Sequence, residues 1–176
     1  MTYQPPVRDF VFLMKDVLKL EQYSNLKGFS EASMDVLEQI IEEAGKFSAE
    51  VLAPLNAVGD KEGCTWHPDH SVTTPKGFKE AYAQLVAGGW PGLGAEIAYG
   101  GQGLPYTLSL PFSEMSSSAN MAFSMYPGLT HGAYSAILNG GSEGQKDLYL
   151  PRLASGEWGG TMNLTEPHCG TDLGLL

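Results

Sequence analysis

The sequence predicts an all-α domain with the first strand of a β domain attached at its C-terminal end. Three observations carry this reading. Apolar residues recur at three- and four-residue steps between Met34 and Leu55. Helix start and stop signals then punctuate the chain as far as Glu157. Only the last twenty residues or so, from Glu157 onward, favour a pleated surface. The implied organisation is an N-terminal extension over 1–30, a helical domain over 31–156, and the start of a β domain over 157–176.

Each element follows from local chemistry. Met34, Leu37, Ile40, Ile41, Ala44, Phe47, Val51, Leu52 and Leu55 line one face of a long amphipathic helix. Ser30 is its expected N-cap, with Glu31 in the first turn and Phe29 stapled onto Met34. Pro54 and Gly59 are expected to end it. A second helix should start with Thr74 as cap and Pro75 at the first helical position. It would bury Phe78, Ala81, Tyr82, Leu85 and Val86 and stop at Gly88-Gly89. Helical patterns follow over 106–119 and 122–138, and Ser142 with Gln145 forms a capping box for another helix. Residues 96–105 read as a structured, glycine-rich loop. Glu157 to Leu164 reads as a strand that runs into Thr165-Glu166-Pro167, where the proline holds its predecessor extended.

Composition bounds the function. A 43% hydrophobic chain with a mean hydropathy of −0.13 suits a globular protein. Its apolar runs fall far short of the about 20 residues that span a bilayer. A net charge of −10 argues against a nucleic-acid partner, whose affinity rests on Lys and Arg. The start Met1-Thr2-Tyr3-Gln4-Pro5-Pro6 has neither the basic region nor the apolar core of a signal peptide. With just two cysteines, Cys64 and Cys169, this favours reduced thiols in a cytoplasm. The chain ends on Leu173-Gly174-Leu175-Leu176, apolar residues that ask for burial, so it is expected to stop where a second domain begins.

Several clusters invite chemistry. Cys64, His67 and His70 stand at metal-like spacing, but three candidates in one loop without a second pair favour no metal. Gly92-x-Gly94 and Gly100-Gly101-x-Gly103 follow a helix, whereas a dinucleotide fingerprint needs a strand there, so they are read as turns between helices. His131, in Tyr126-Pro127-Gly128-Leu129-Thr130-His131, has no nucleophile nearby in sequence and is read as a helix-packing contact. The strongest functional stretch is Asn163 to Thr171. Its glycine, threonine and exposed backbone donors suit the N1, O2, N5 and O4 edge of an isoalloxazine ring.

That stretch also carries a resemblance. Leu164-Thr165-Glu166-Pro167-His168-Cys169-Gly170-Thr171-Asp172 resembles the V/L-T-E-P-x-A-G-S/T-D loop of the flavin-dependent acyl-CoA dehydrogenases. Gly88-Gly89-Trp90-Pro91-Gly92-Leu93 with Tyr99-Gly100-Gly101-Gln102-Gly103-Leu104 is similar to the family's glycine-rich connection. Gly141-Ser142-Glu143-Gly144-Gln145-Lys146-Asp147-Leu148-Tyr149-Leu150-Pro151, followed by Ala154-Ser155-Gly156-Glu157, is similar to its G-S-E-x-Q-K-x-x-Y-L-P … A-S-G-E segment. The three motifs stand in the family's order over residues 76 to 176. Residues 3–26 resemble the extension of a longer-chained subgroup that includes the methylthiopropanoyl-CoA dehydrogenases.

The resemblance implies α,β-dehydrogenation of an acyl-CoA thioester with FAD as cofactor. A glutamate takes the α-proton while a hydride leaves the β-carbon for flavin N5. It implies electron-transfer flavoprotein as electron acceptor and a homo-oligomeric parent. Met162, Asn163, Leu164 and Thr165 would run along the flavin, and Gly170 and Thr171 would approach both flavin and thioester. The helix around His131 would line an acyl pocket. No catalytic residue is assigned, because the family's glutamate lies in a C-terminal helical domain and no glutamate here matches its motif. The sequence departs from the pattern at Met162, where an aromatic is common, at Asn163, where a small residue or cysteine is usual, and at Cys169. The resemblance leaves two other readings open: an acyl-CoA oxidase, and a helical interaction module without redox activity. The 176-residue chain alone is expected to be inactive.

Overall fold

A computed structural model describes residues 3–175. Helix α1 (Val7–Phe12) widens into a π-helical run over Leu13–Val17. Helix α2 (Met34–Lys46) continues through a second π-helical run, Phe47–Leu52, into α3 (Ala53–Glu62). A small antiparallel hairpin pairs β1 (Thr65–Trp66) with β2 (Val72–Thr73). Helices α4 (Phe78–Ala87), α5 (Ser109–Ala119), α6 (Met121–Gly140) and α7 (Glu143–Ala154) complete the body. Helix α5 packs on α2 and its widened turn, α6 on α5, and α7 on α6.

The amphipathic stripe does what its spacing requires. Leu37, Ile41 and Ala44 are fully buried with Leu108 and Met115 of the α5 region, and Met14 and Leu20 join the same cluster. Leu52, Leu85 and Phe123 anchor a second cluster, and Tyr134, Leu150 and Leu153 a third. The first two are bridged by aromatic stacking: Trp90 lies on Phe112 with ring centroids 4.4 Å apart and planes 9° from parallel. The offset pair adds about 0.5–1.5 kcal/mol to the area it buries.

Several local expectations are corrected. The N-cap of α2 is Ser33, whose Oγ accepts from the Val36 N–H at 3.4 Å, while Ser30 lies in the preceding turn and bonds Glu31. Pro54 does not end the long helix. The turn before it is widened, so that the Ala53 N–H donates to the Ser48 carbonyl five residues back. That looser spacing accommodates a ring which would otherwise crowd the preceding turn. Gly59 stays helical as well; a Cβ there would stand 2.7 Å from the Phe78 ring, so it serves close helix approach. Gly63, at φ +62°, is the actual stop. Helix α4 starts after Gly77, not at Thr74-Pro75, because Gly77 at φ +87° breaks the helical path between them. Residues 157–164 are not a strand: 157 and 158 lie in a bend and the rest is irregular. A strand needs a ladder partner for its N–H and C=O groups, and none lies alongside among the described residues. The capping box stands as expected: Gln145 N–H to Ser142 Oγ at 3.4 Å and Ser142 N–H to Gln145 Oε1 at 2.8 Å.

The joint between the two halves of the body is a buried amide. Asn120, 1% exposed, caps α6 by accepting from the Phe123 N–H at 3.0 Å. Its Nδ2 donates to the Leu52 carbonyl at 3.2 Å, at the end of the widened turn. Asn120→Ala removes both bonds and leaves the buried Phe123 N–H without its cap. A loss of about 2–4 kcal/mol is expected, a fall in Tm of roughly 5–10 °C. Ser142→Ala, which opens an exposed cap, is expected to lose about 1 kcal/mol. Thermal unfolding followed by circular dichroism compares the two, and equal shifts would mean that Asn120 does not pin the joint.

Candidate functional site

A cavity of about 230 Å³ lies between α4, the turn at Trp90, and helices α5 and α6. The sequence builds it from two sources. The 3₁₀ turn Trp90–Gly92 follows Gly89 in a left-handed conformation and presents the Trp90–Phe112 stack as an apolar wall. Opposite polarity comes from Ser109, Ser113 and Ser116, spaced four and three apart on one face of α5. Helix α6 adds Ser124, Gly128, Thr130 and His131. Gly128 has nothing within 4 Å of where a Cβ would stand, so the backbone itself borders the opening.

His131 lines this cavity, exposed and stacked on Tyr106 with centroids 5.4 Å apart. Its ring stacks on an exposed residue of the 3₁₀ turn before α5, so it stands at the cavity rim and not in the packed helix contact expected from the sequence. Burial raises the Tyr82 and Tyr134 phenols above the ordinary tyrosine value, so both stay neutral hydrogen-bonding groups. Tyr134 accepts from the Glu96 N–H at 2.9 Å, and Tyr82 donates to the Gly156 carbonyl at 2.9 Å. These two phenols tie the glycine-rich loop and the exit of α7 to the helical body.

Past that exit the chain crosses α6. The Gly160 N–H donates to Thr130 Oγ1 at 3.0 Å, so the wall of the cavity and the start of the predicted site loop share one side chain. Met162, Asn163, Leu164 and Thr165 follow without regular structure, with Met162 65% exposed and Leu164 half-buried. Their four backbone N–H groups donate to no group among the described residues. Glu166 and Gly170 close an antiparallel bridge, through Glu166 N–H to Gly170 carbonyl at 3.0 Å and the reverse bond at 2.9 Å. Thr165 and Thr171 therefore flank the bridge from its two sides. Gly170 needs its glycine, at φ +59°, to make this turn.

A row of unpaired donors next to a threonine is the chemistry that one edge of a planar, acceptor-rich heterocycle requires. A diphosphate is not provided for locally: residues 157–175 contain neither Lys nor Arg. The Cys64, His67 and His70 cluster is spread over the hairpin and its turn. His67 Nε2 lies 2.7 Å from Thr73 Oγ1, and His70 packs edge-on against Trp66 at 5.9 Å. Sequence reasoning missed the serine face of α5 and the role of Thr130. The signal for the first was present as Ser109-x-x-x-Ser113-x-x-Ser116, serines at helical spacing within a helix that also carries Glu114, Ser117 and Ser118.

Residues 34–157 match the family described as acyl-CoA dehydrogenase, N-terminal domain. The 3-methylmercaptopropionyl-CoA dehydrogenase of Ruegeria pomeroyi is 42% identical over 173 residues, covering 98% of this chain and 29% of that protein. The solved structure of butyryl-CoA dehydrogenase from Megasphaera elsdenii aligns with a TM-score of 0.64 at 25% identity, over 78% of this chain and 34% of that one. A structure described as the electron transferring flavoprotein of Acidaminococcus fermentans aligns with a TM-score of 0.64 at 26% identity, over 77% and 33%. The chain thus spans about a third or less of the length of these proteins. Among its described residues no helix is long and apolar enough to cross a membrane. With a family match over 34–157 and a relative aligned over nearly its whole length, the chain belongs to the acyl-CoA dehydrogenase family.

Proposed function

We propose that the polypeptide carrying this chain is an FAD-dependent dehydrogenase that converts an acyl-CoA thioester to the 2,3-enoyl-CoA. The observation that carries this reading is the adjacency of the apolar-walled cavity and the donor-rich Met162–Thr171 loop, joined through Thr130. The names of the aligned proteins support the same class of reaction. FAD, when bound, supplies the two-electron acceptance that no side chain of this chain offers.

The chain's own residues bind and orient. The wall made by Trp90 and Phe112 receives the acyl tail and keeps water from it. The backbone of Met162, Asn163 and Leu164 and the hydroxyl of Thr165 hold the flavin edge, and Gly170 and Thr171 hold the thioester. The base that takes the α-proton comes from outside this chain. Electron-transfer flavoprotein is the proposed acceptor, and the polypeptide is proposed to form a homo-oligomer, as the family resemblance implies.

Two measurements test this division of labour. The 176-residue chain by itself is expected to lose FAD on desalting. It offers one edge of the ring and no basic side chain beside the loop, too little to offset the cost of ordering a large ligand. A yellow protein with stoichiometric flavin after desalting would overturn that expectation.

In the polypeptide that carries this chain, Thr171→Val is expected to lower kcat/KM more than Thr165→Ser. The valine keeps the branched shape but strands the thioester contact, a loss of about 1–3 kcal/mol, roughly 5- to 150-fold. The serine keeps the hydroxyl and removes a methyl. Rates at matched flavin occupancy decide it, and a worse Thr165→Ser would place the loop differently against the substrate.

A further inference from the structure

The segment that leaves α7 meets α6 with almost no space between them. A Cβ on Gly160 would stand 2.5 Å from Ala133 Cβ and 3.1 Å from Thr130 Cα, and one on Gly159 would run into the Tyr126 hydroxyl. Upstream, the path is held several times over. The Trp158 N–H donates to the Arg152 carbonyl at 3.1 Å, and the Arg152 guanidinium lies 4.5 Å from the Trp158 ring centroid. Downstream the situation reverses. Among the described residues no hydrogen bond or ion pair joins 161–175 to the helical body; every such bond in that stretch is internal to it. The Gly160 N–H to Thr130 Oγ1 bond is therefore the last polar tie before the loop.

Thr130 suits that task. It is 5% exposed, and its hydroxyl also reaches the carbonyl of Tyr126, the residue on which Gly159 closes. The same residue lines the cavity.

We propose that Thr130 is a positioning residue whose hydroxyl sets the register in which the Met162–Thr171 loop leaves the helical body, and so sets the loop against the acyl cavity. This rests on the dehydrogenase reading above. A short side chain with a hydroxyl is needed because the close contact with Gly160 leaves no room for a longer group, and the bond at 3.0 Å is direct. Valine fills the same space and accepts no hydrogen bond, leaving a buried N–H unpaired. Serine keeps the acceptor.

The test uses the natural polypeptide that carries this chain, as wild type, Thr130→Val, Thr130→Ser and Gly160→Ala. Amide hydrogen exchange at Gly160 is expected to be slow in the wild type, at least tenfold faster in Thr130→Val, and largely restored in Thr130→Ser. At matched flavin occupancy, Thr130→Val is expected to lower kcat at least tenfold, with KM for acyl-CoA within about threefold, since misplacement acts on the transfer itself. Gly160→Ala lifts the segment from the other side and is expected to reproduce the kcat defect with Thr130 intact; it decides the matter if Thr130→Val fails to fold. Wild-type exchange at Gly160 in Thr130→Val, or faster exchange with kcat unchanged, overturns the proposal. So does a Gly160→Ala protein with wild-type kcat. A wild type that holds no flavin and oxidises no acyl-CoA overturns instead the dehydrogenase reading on which the proposal stands.

Discussion

The fold depends on how one long helix passes a proline. The α2–α3 helix carries Pro54 in its middle and widens just before it. Two buried polar side chains bond to carbonyls near the two ends of that widened run. Ser48 Oγ donates to the Ala44 carbonyl at 2.7 Å, and Asn120 Nδ2 donates to the Leu52 carbonyl. Because Asn120 is also the cap of α6, one side chain ties the start of α6 to the widened turn. Leaving the capped Phe123 N–H buried and unpaired would cost about 1–3 kcal/mol, so this pairing favours one placement of α6.

The site inherits its geometry from that placement. Helix α6 supplies one side of the cavity, and the glycines at 159 and 160 let the outgoing chain lie directly on it. The wall and the segment that leads into the loop thus meet on one helix. The loop itself is held only by its own bridge and turn, with Met162, Leu173 and Leu175 exposed.

Some of this was legible in the residues. The burial of Leu37, Ile41, Ala44 and Leu52 follows from spacing alone, since a 3.6-residue period puts them on one face. The Ser142 and Gln145 box is equally local, because both reciprocal bonds form within four residues. The errors have a common origin. Pro54, Gly59 and Pro75 favour helix boundaries by intrinsic preference, yet the widened turn before Pro54, Phe78 packing on Gly59 and the left-handed Gly77 after Pro75 override them. The strand expected at 157–164 failed because pairing is a property of two segments, and one of them has no counterpart among the described residues.

By itself, then, the sequence determined the helical class, the buried stripe of α2 with Ala81 and Leu85 of α4, and the family to which the chain belongs. All three rest on periodicity or on contiguous motifs, which are read over a few residues at a time. Tertiary structure alone decided that Asn120 answers Leu52 across 68 positions, that Trp90 stacks on Phe112, and that Thr130 holds Gly160 across 30. Such contacts join residues whose own neighbourhoods contain no trace of the partner. They exist because a buried donor or acceptor must be satisfied by whatever the packed helices bring within reach.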